Sequence, residues 1–170
     1  MENFNLLAVA VAALIPMAVG FFWYGKMGFE RPWMAAADMT EEKIQSANMG
    51  LIFGVSFVMA FILSFVLQFS VIHQFSLYSL VADDPAVISG AMDSENAKWF
   101  LNAMEMFGGK FRTFGHGAVH GGIMVGLLTI TPILTIVALF ERRSFKYIAI
   151  NAGYWIVTLA IMGGILCAWQ

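Results

Sequence analysis

Charged residues are scarce in this 170-residue chain, in which Lys, Arg, Asp and Glu together make up only 12%. Soluble globular domains carry about 25% charged residues, so this composition excludes an ordinary cytosolic domain. The formal net charge of −2 excludes the basic surface that nucleic-acid binding requires. The single cysteine, Cys167, excludes a disulfide framework and a thiolate metal site.

Apolar residues, in contrast, are abundant: 60% of the chain is hydrophobic and the mean hydropathy is +0.78. A helix that crosses a membrane needs about 20 mostly apolar residues. Four stretches meet this requirement, at about residues 4–24, 51–78, 114–140 and 145–169. The sequence therefore predicts an all-α transmembrane four-helix bundle that forms a single membrane domain over residues 1–170.

The segments around these spans allow further predictions. The last two spans are joined by residues 141–144 alone, which predicts an antiparallel helix hairpin. The first span has no basic segment before it and no small-residue cleavage site after it, so we expect it to be retained and not removed as a signal peptide. No proline interrupts the chain from Thr40 to Tyr78, which predicts one continuous helix that extends beyond the second span.

Lysine and arginine are distributed unevenly between the two sides of this bundle. Connecting segments rich in Lys and Arg remain in the cytoplasm, whereas Asp and Glu contribute little to this bias. We therefore expect residues 25–47 and 141–144 to be cytoplasmic, with both termini and the loop 79–113 outside. Six basic residues lie on the first side (Lys26, Arg31, Lys43, Arg142, Arg143 and Lys146) and three on the second (Lys98, Lys110 and Arg112).

The outer loop, residues 79–113, contains the pattern of an amphipathic helix. Asp93 and Ser94 supply a helix start, and Gly108 and Gly109 supply a helix stop. Polar and apolar residues between them recur on opposite faces at helical spacing. We expect this helix to lie on the outer surface of the membrane or to cap the bundle.

Ionisable side chains within the spans are the main candidates for function, because burying them in lipid is costly. His116 and His120 are four residues apart and therefore share one helix face. His73 and Gln68 lie toward the same side of the membrane on the second span. A cluster of these four residues could hold a transition metal, ligate a haem, relay protons or receive a polar headgroup. The alternative is structural, with each histidine bonded to a backbone carbonyl, a phosphate or water.

Glycine pairs and aromatic residues indicate how the helices pack and where they meet the membrane surface. Glycines four residues apart let two helices approach closely, and three such pairs are present: Gly50 and Gly54, Gly117 and Gly121, and Gly122 and Gly126. Trp and Tyr settle at the level of the lipid headgroups. We expect Trp23, Tyr24 and Trp33 to be anchors of this kind.

Several short motifs resemble those of a family of bacterial membrane proteins, the domain of unknown function 1761 family. The motifs are Trp23-Tyr24-Gly25, Trp33-Met34, Thr40-Glu41-Glu42, Leu139-Phe140-Glu141-Arg142-Arg143-Ser144, Ile150-Asn151-Ala152-Gly153-Tyr154 and Gly163-Gly164-Ile165-Leu166. The resemblance covers both ends of the chain, and residues 79–107 are less typical of the family. It implies a four-helix integral membrane protein, and it implies no activity and no catalytic residues. Bacterial members of this kind are expected in the inner (plasma) membrane.

These observations favour a non-enzymatic membrane protein that acts through helix–helix association, as a homo-oligomer or as an accessory subunit of a membrane complex. The expected partners are membrane lipid and either the chain itself or other membrane subunits, without nucleic acid. No cofactor is expected under this hypothesis. The alternatives are a protein that binds a small molecule, a metal ion or a haem through its outer histidines, with His116 and His120 as the ligands, and an oligomeric transporter.

Overall fold

The computed structural model describes residues 5–169, and within this range the chain is helical with no β-strand. Four of its helices are long and apolar enough to cross a membrane, and we call them span 1 to span 4. This confirms the predicted all-α fold. The spans are Leu6–Trp23, Met49–Val71, Phe114–Phe140 and Phe145–Ala168.

The boundaries of three spans agree closely with the sequence prediction. Span 3 has the predicted limits, and span 4 ends one residue earlier than expected. Span 1 begins at Leu6, where the side chain of Asn5 accepts a 2.9 Å hydrogen bond from the backbone N–H of Ala8. The predicted first residue of this span, Phe4, lies outside the described residues.

The predicted continuous helix over residues 40–78 is wrong, because the chain breaks at two places. Thr40 caps the short helix Glu41–Gln45, and a second start follows at Asn48, whose side chain accepts from the N–H of Leu51. The side-chain oxygens of Asn and Thr accept hydrogen bonds from backbone N–H groups in this way, which favours the start of a new helix. Span 2 then ends at Val71, and the extended backbone of Ile72 (φ −109°, ψ 98°) separates it from the helix His73–Ser79.

The connecting segments also contain short helices. The first loop forms Glu30–Ala37 and Glu41–Gln45. The second forms Pro85–Ile88 and the predicted amphipathic helix, which is confirmed at Glu95–Phe107 and is called the loop helix below. Ser94 caps it by accepting from the N–H of Ala97. Ala97 is fully buried and packs with Val81 and Val87, so the loop helix is anchored to its own loop.

Span 4 is the centre of the bundle. Half of its most apolar segment is buried inside the protein, whereas the buried share of the corresponding segment is 11–28% in the other three spans. Its residues Leu159, Met162 and Leu166 form the core with span 1 and with the last part of span 2. Two buried polar bonds add to this packing: Ser64 of span 2 donates to the carbonyl of Val9, and Tyr154 of span 4 donates to the carbonyl of Pro16. Many of the remaining apolar side chains of spans 1 to 3 are exposed on the outside of the bundle.

Spans 3 and 4 touch backbone to backbone along a line of glycines. A Cβ atom on Gly117 would collide with the carbonyl oxygen of Gly163, and one on Gly121 would collide with that of Leu159. Farther along span 3, a Cβ on Gly122 would lie 2.9 Å from the Cβ of Ala160. Such close approach requires glycine at these positions of span 3, because a Cβ atom there would hold the two backbones apart.

Candidate metal centre

The three histidines of the chain meet at one end of the bundle, which we call the histidine end. This end contains the first residues of spans 1 and 3 and the last residues of spans 2 and 4. His73 is the first residue of the short helix that follows the break at Ile72. His116 and His120 lie in the first two turns of span 3, where Thr113 accepts from the backbone N–H of His116 at 3.2 Å.

The three imidazole rings are close enough to share one ion. One ligand nitrogen from each of them lies within 4.8 Å of the others. The ring centroids of His116 and His120 are 4.1 Å apart, and His73 stands edge-on to both at 4.8 and 4.9 Å. The span 3 pair results from the helical repeat, whereas His73 reaches it through the tertiary fold.

Hydrogen bonding defines which nitrogens are available. Nδ1 of His120 lies 3.1 Å from the backbone carbonyl oxygen of His116. A carbonyl only accepts, so Nδ1 of His120 is the donor in this bond, and Nε2 is the nitrogen that its neutral ring would offer to an ion. Nε2 of His116 is buried and has no hydrogen-bond partner in the described part of the chain. Buried polar atoms without partners are uncommon, and such an atom in a ligand cluster indicates a missing partner.

His73 lies outside the spans, and its environment favours the uncharged ring. Burial lowers the pKa of His73 below its usual value, and the neighbouring His120 lowers this pKa further. A neutral imidazole is the form that binds a metal ion.

Phe111 and Cys167 border the cluster without belonging to it. The Phe111 ring centroid is 5.3 Å from those of both His73 and His116. The thiol of Cys167 donates to the carbonyl of Phe111 at 2.8 Å and lies 3.5 Å from that of Val71. Cys167 therefore ties span 4 to the chain on either side of the cluster, and the cluster itself has imidazole ligands only.

A cavity of about 600 Å³ adjoins the histidines. It lies between the helix His73–Ser79 and the loop helix, and His73 and Phe111 form part of its wall. Gln74, which is buried, donates a 2.7 Å hydrogen bond to the carbonyl of Gly108 and so joins the two helices. The sequence analysis did not identify this cavity, because no local pattern brings the two helices together.

The structure places Gln68 differently from the histidines. Its side chain is buried within the core, and its amide donates to the carbonyl of Phe65 in the same helix at 3.4 Å. The side chain of Gln68 thus forms its hydrogen bond within its own helix, one turn before the break at Ile72.

The three aromatic residues expected at the membrane surface gather at the opposite end of the bundle. The indole N–H of Trp23 donates to the carbonyl of Ile150 at 3.0 Å, and the hydroxyl of Tyr24 donates to Oδ1 of Asn151 at 2.9 Å. The ring of Trp33 packs on that of Tyr24, with centroids 5.1 Å apart. These residues join the first loop to span 4, and their predicted contact with lipid headgroups stays a prediction.

The glycine pairs fall into two groups. Gly117, Gly121, Gly122 and Gly126 face span 4 within the chain. Gly50 and Gly54 instead lie exposed on span 2, where a Cβ atom on Gly54 would meet nothing within 4 Å. The first group explains the close packing of spans 3 and 4. The second group makes no comparable helix contact within residues 5–169.

Three long apolar helices packed around a fourth, central one define a polytopic membrane protein. The chain belongs to the DUF1761 family: the family's sequence model, described as a protein of unknown function, matches residues 7–167. This confirms the resemblance seen in the sequence motifs. Comparison with curated proteins gives no significant match, and neither does comparison with solved structures.

Proposed function

We propose that this membrane protein binds a transition-metal ion through His73, His116 and His120. The observation that carries this proposal is the convergence of three imidazole nitrogens within 4.8 Å of one another. Imidazole is a preferred ligand of Zn²⁺, Cu²⁺, Ni²⁺ and iron. The proposed role is binding, and the sequence analysis gives no reason to expect catalysis by other groups.

The spacing suits an ion after small side-chain movements. A tetrahedral ion with bonds of about 2.0–2.1 Å holds its ligands about 3.3 Å apart, somewhat closer than the present limit of 4.8 Å. Rotation of the imidazoles about their side-chain bonds covers this difference. A haem fits less well, because the rings lie within 4.9 Å of each other and leave no slot for a macrocycle between them.

The hydrogen bonds around the rings also support an ion. Metal-bound histidines usually donate their second ring N–H to a carbonyl or carboxylate, which orients the ring. The bond from Nδ1 of His120 to the carbonyl of His116 has this form. The unpartnered Nε2 of His116 would gain its missing partner when an ion binds.

The metal-binding proposal is tested on the purified full-length protein in a mild detergent. The protein is stripped with a chelator, dialysed against Co²⁺ or Zn²⁺, and its metal content is measured by mass spectrometry. We expect one ion per chain. His73→Ala and His116→Ala should each lower the affinity by at least the roughly 10–100-fold that the loss of a supporting outer-shell partner causes.

Cys167→Ser is the matched control, because Cys167 adjoins the cluster through Phe111 and the serine keeps a hydrogen-bond donor there. This variant should bind metal as the unaltered protein does. Metal-free protein after dialysis, or unchanged affinity in both histidine variants, would overturn the proposal.

We also propose that the histidine end faces away from the cytoplasm of a bacterial inner membrane. The support is the distribution of Lys and Arg, six on the opposite end and three at this end. The 2.8 Å ion pair between Asp38 and Arg143 joins the first loop to the link between spans 3 and 4, so both basic segments lie on one side.

Self-association through span 2 is a second candidate function. The observation that favours it is the open space beside Gly54, on a span of which only 17% is buried inside the chain. We expect native mass spectrometry to detect a homo-oligomer that Gly54→Leu dissociates. Val55→Leu, at an exposed neighbour, is the control. A monomer in the unaltered protein would exclude self-association, and a different co-purifying chain would instead support an accessory-subunit role.

A further inference from the structure

The cavity beside the histidines has the size and surface of a small-molecule site. Its volume of about 600 Å³ falls within the range of roughly 300–1,000 Å³ that is usual for ligand pockets. Its wall is largely apolar, with a small number of polar groups. It is lined by His73, Ser76, Leu77, Trp99, Asn102, Ala103, Met106, Phe107 and Phe111.

One side chain belongs both to the cavity and to the metal cluster. His73 lines the cavity, and one of its ring nitrogens lies within 4.8 Å of those of His116 and His120. Three protein ligands leave a tetrahedral ion with one position for water or an exogenous ligand. A molecule in the cavity therefore lies next to the ion that His73 would bind.

The charge of the wall restricts what this molecule can be. Among residues 5–169, His73 is the only ionisable side chain that lines the cavity, and Ser76 and Asn102 are its neutral polar groups. A ligand with several charges would leave most of them without a partner, which is costly in an apolar site. The bound ion supplies positive charge at one end only. A single anionic group there, on an otherwise apolar body, satisfies both conditions.

The wall formed by the loop helix is held in place by defined contacts. Gln74 bonds the carbonyl of Gly108 at the end of this helix, and the ring of Phe100 packs against Tyr78 with centroids 5.9 Å apart. Trp99 lines the cavity and is 48% exposed, so part of this wall lies at the protein surface.

We infer that this cavity binds an amphiphilic monocarboxylate whose carboxylate oxygen completes the coordination of the ion at His73, His116 and His120. The inference rests on the proposed metal function. On binding, a carboxylate oxygen replaces the water on the ion, and that water leaves as a neutral molecule. The hydrocarbon part of the ligand lies against Leu77, Trp99 and Phe107.

Such a carboxylate has two possible sources, a fatty acid from the membrane and a short acid from the aqueous phase. The experiment uses both as probes, namely oleate and hexanoate. The full-length protein is loaded with Co²⁺ in phosphatidylcholine nanodiscs, and each acid is titrated while the visible absorption of Co²⁺ is followed. Carboxylate coordination shifts this spectrum, and the midpoint gives an apparent Kd. Oleate binding at much lower concentration than hexanoate would identify the membrane as the source, and similar midpoints would identify the aqueous phase.

Two variants separate the cavity from the metal site. Ala103→Trp fills the cavity, whereas Leu101→Trp adds the same side chain at an exposed position of the same helix outside the wall. We expect Ala103→Trp to bind Co²⁺ normally and to weaken the carboxylate at least tenfold, with Leu101→Trp unchanged. Met106→Trp, at another lining residue, replaces Ala103→Trp if that variant does not fold.

The outcomes distinguish the two proposals. Co²⁺ binding without any spectral shift by either acid, or with equal shifts in the cavity-filling and control variants, overturns the carboxylate site and leaves the metal site standing. Failure of the unaltered protein to bind Co²⁺ overturns the metal site and the carboxylate site with it.

Discussion

Gly117 of span 3 and Gly163 of span 4 lie backbone against backbone, and a Cβ atom on either would collide with the carbonyl oxygen of the other. His116 and His120 each precede a glycine of this contact, Gly117 and Gly121, by one residue. One residue corresponds to a rotation of about 100° around a helix. The glycines face span 4, and the histidines therefore point from an adjacent face of span 3. The close approach of spans 3 and 4 thereby sets the direction in which the two imidazoles point.

We expect Gly117→Ala to destabilise the bundle, because the added methyl group forces spans 3 and 4 apart. Overpacking of this kind costs about 1–3 kcal/mol. The free energy of unfolding is measured by titration with a denaturing detergent. Gly115→Ala is the control, since a Cβ atom there would meet nothing within 4 Å. Equal stability of the two variants would contradict the close contact.

We expect Tyr24→Phe to weaken the attachment of the first loop to span 4. The change removes the 2.9 Å hydrogen bond to Asn151. Interhelical hydrogen bonds in membrane proteins contribute about 0.6 kcal/mol on average. Burial raises the pKa of Tyr24, and Tyr154 and Tyr147 raise it further, so the hydroxyl stays a donor at neutral pH.

The same unfolding titration measures this effect. Tyr78→Phe, at the histidine end of the bundle, is the control and should leave the stability unchanged. A Tyr24→Phe protein as stable as the control would show that the bond to Asn151 contributes nothing measurable.

We expect Asp84→Ala to loosen the segment before the loop helix. The carboxylate of Asp84 accepts from the N–H of Ala86 and from the side chains of Ser94 and Asn96. Amide hydrogen exchange over residues 85–97 should therefore become faster. Asp83→Ala, at the exposed neighbour, should leave exchange unchanged, and faster exchange there as well would contradict a specific role for Asp84.

The same carboxylate makes this segment sensitive to acid. Hydrogen bonds from Ser94 and from the N–H of Ala86 hold the pKa of Asp84 below its usual value of 3.8. A lowered pKa in the folded state means that the unfolded state binds the proton more readily. The stabilisation is therefore present above pH ~4 and is lost as the pH falls through the folded-state pKa. Exchange over residues 85–97, corrected for its intrinsic pH dependence, should rise in that window, and the rise should be absent in Asp84→Ala.

We expect the loop helix and the first loop to lie on opposite sides of the membrane. In a Cys167→Ser background, Asp93→Cys should react in intact cells with a maleimide that cannot cross the membrane. Ser46→Cys should react only after the membrane is opened, because the basic residues hold its loop in the cytoplasm. The reverse pattern would invert the orientation and place the histidine end in the cytoplasm.

Several predictions that depend on local pattern agree with the structure, although the helix start at Asn48, which is also a local capping effect, was missed. Span 3 has the predicted limits, and the loop helix begins at Ser94 as its capping signal indicates. The effects of long apolar stretches and of capping residues depend on residues nearby in the chain, so the sequence alone can reveal them. The break at Ile72 was missed for the opposite reason. Its extended backbone coincides with burial of Ile72 and with the bond from Gln74 to Gly108, 34 residues away.

The candidate site also has a part that the local sequence predicts and a part that only the tertiary structure shows. The four-residue spacing of His116 and His120 places both on one helix face from sequence alone, because the helical repeat is fixed by backbone hydrogen bonding. The addition of His73 depends on the break at Ile72 and on the packing of spans 2 and 3. The sequence alone therefore determined the number of spans, the limits of three of them and the histidine pair. Only the tertiary structure decided that His73 joins the pair and that a cavity lies beside them. These features depend on contacts between residues far apart in the chain, and no local pattern of residues specifies such contacts.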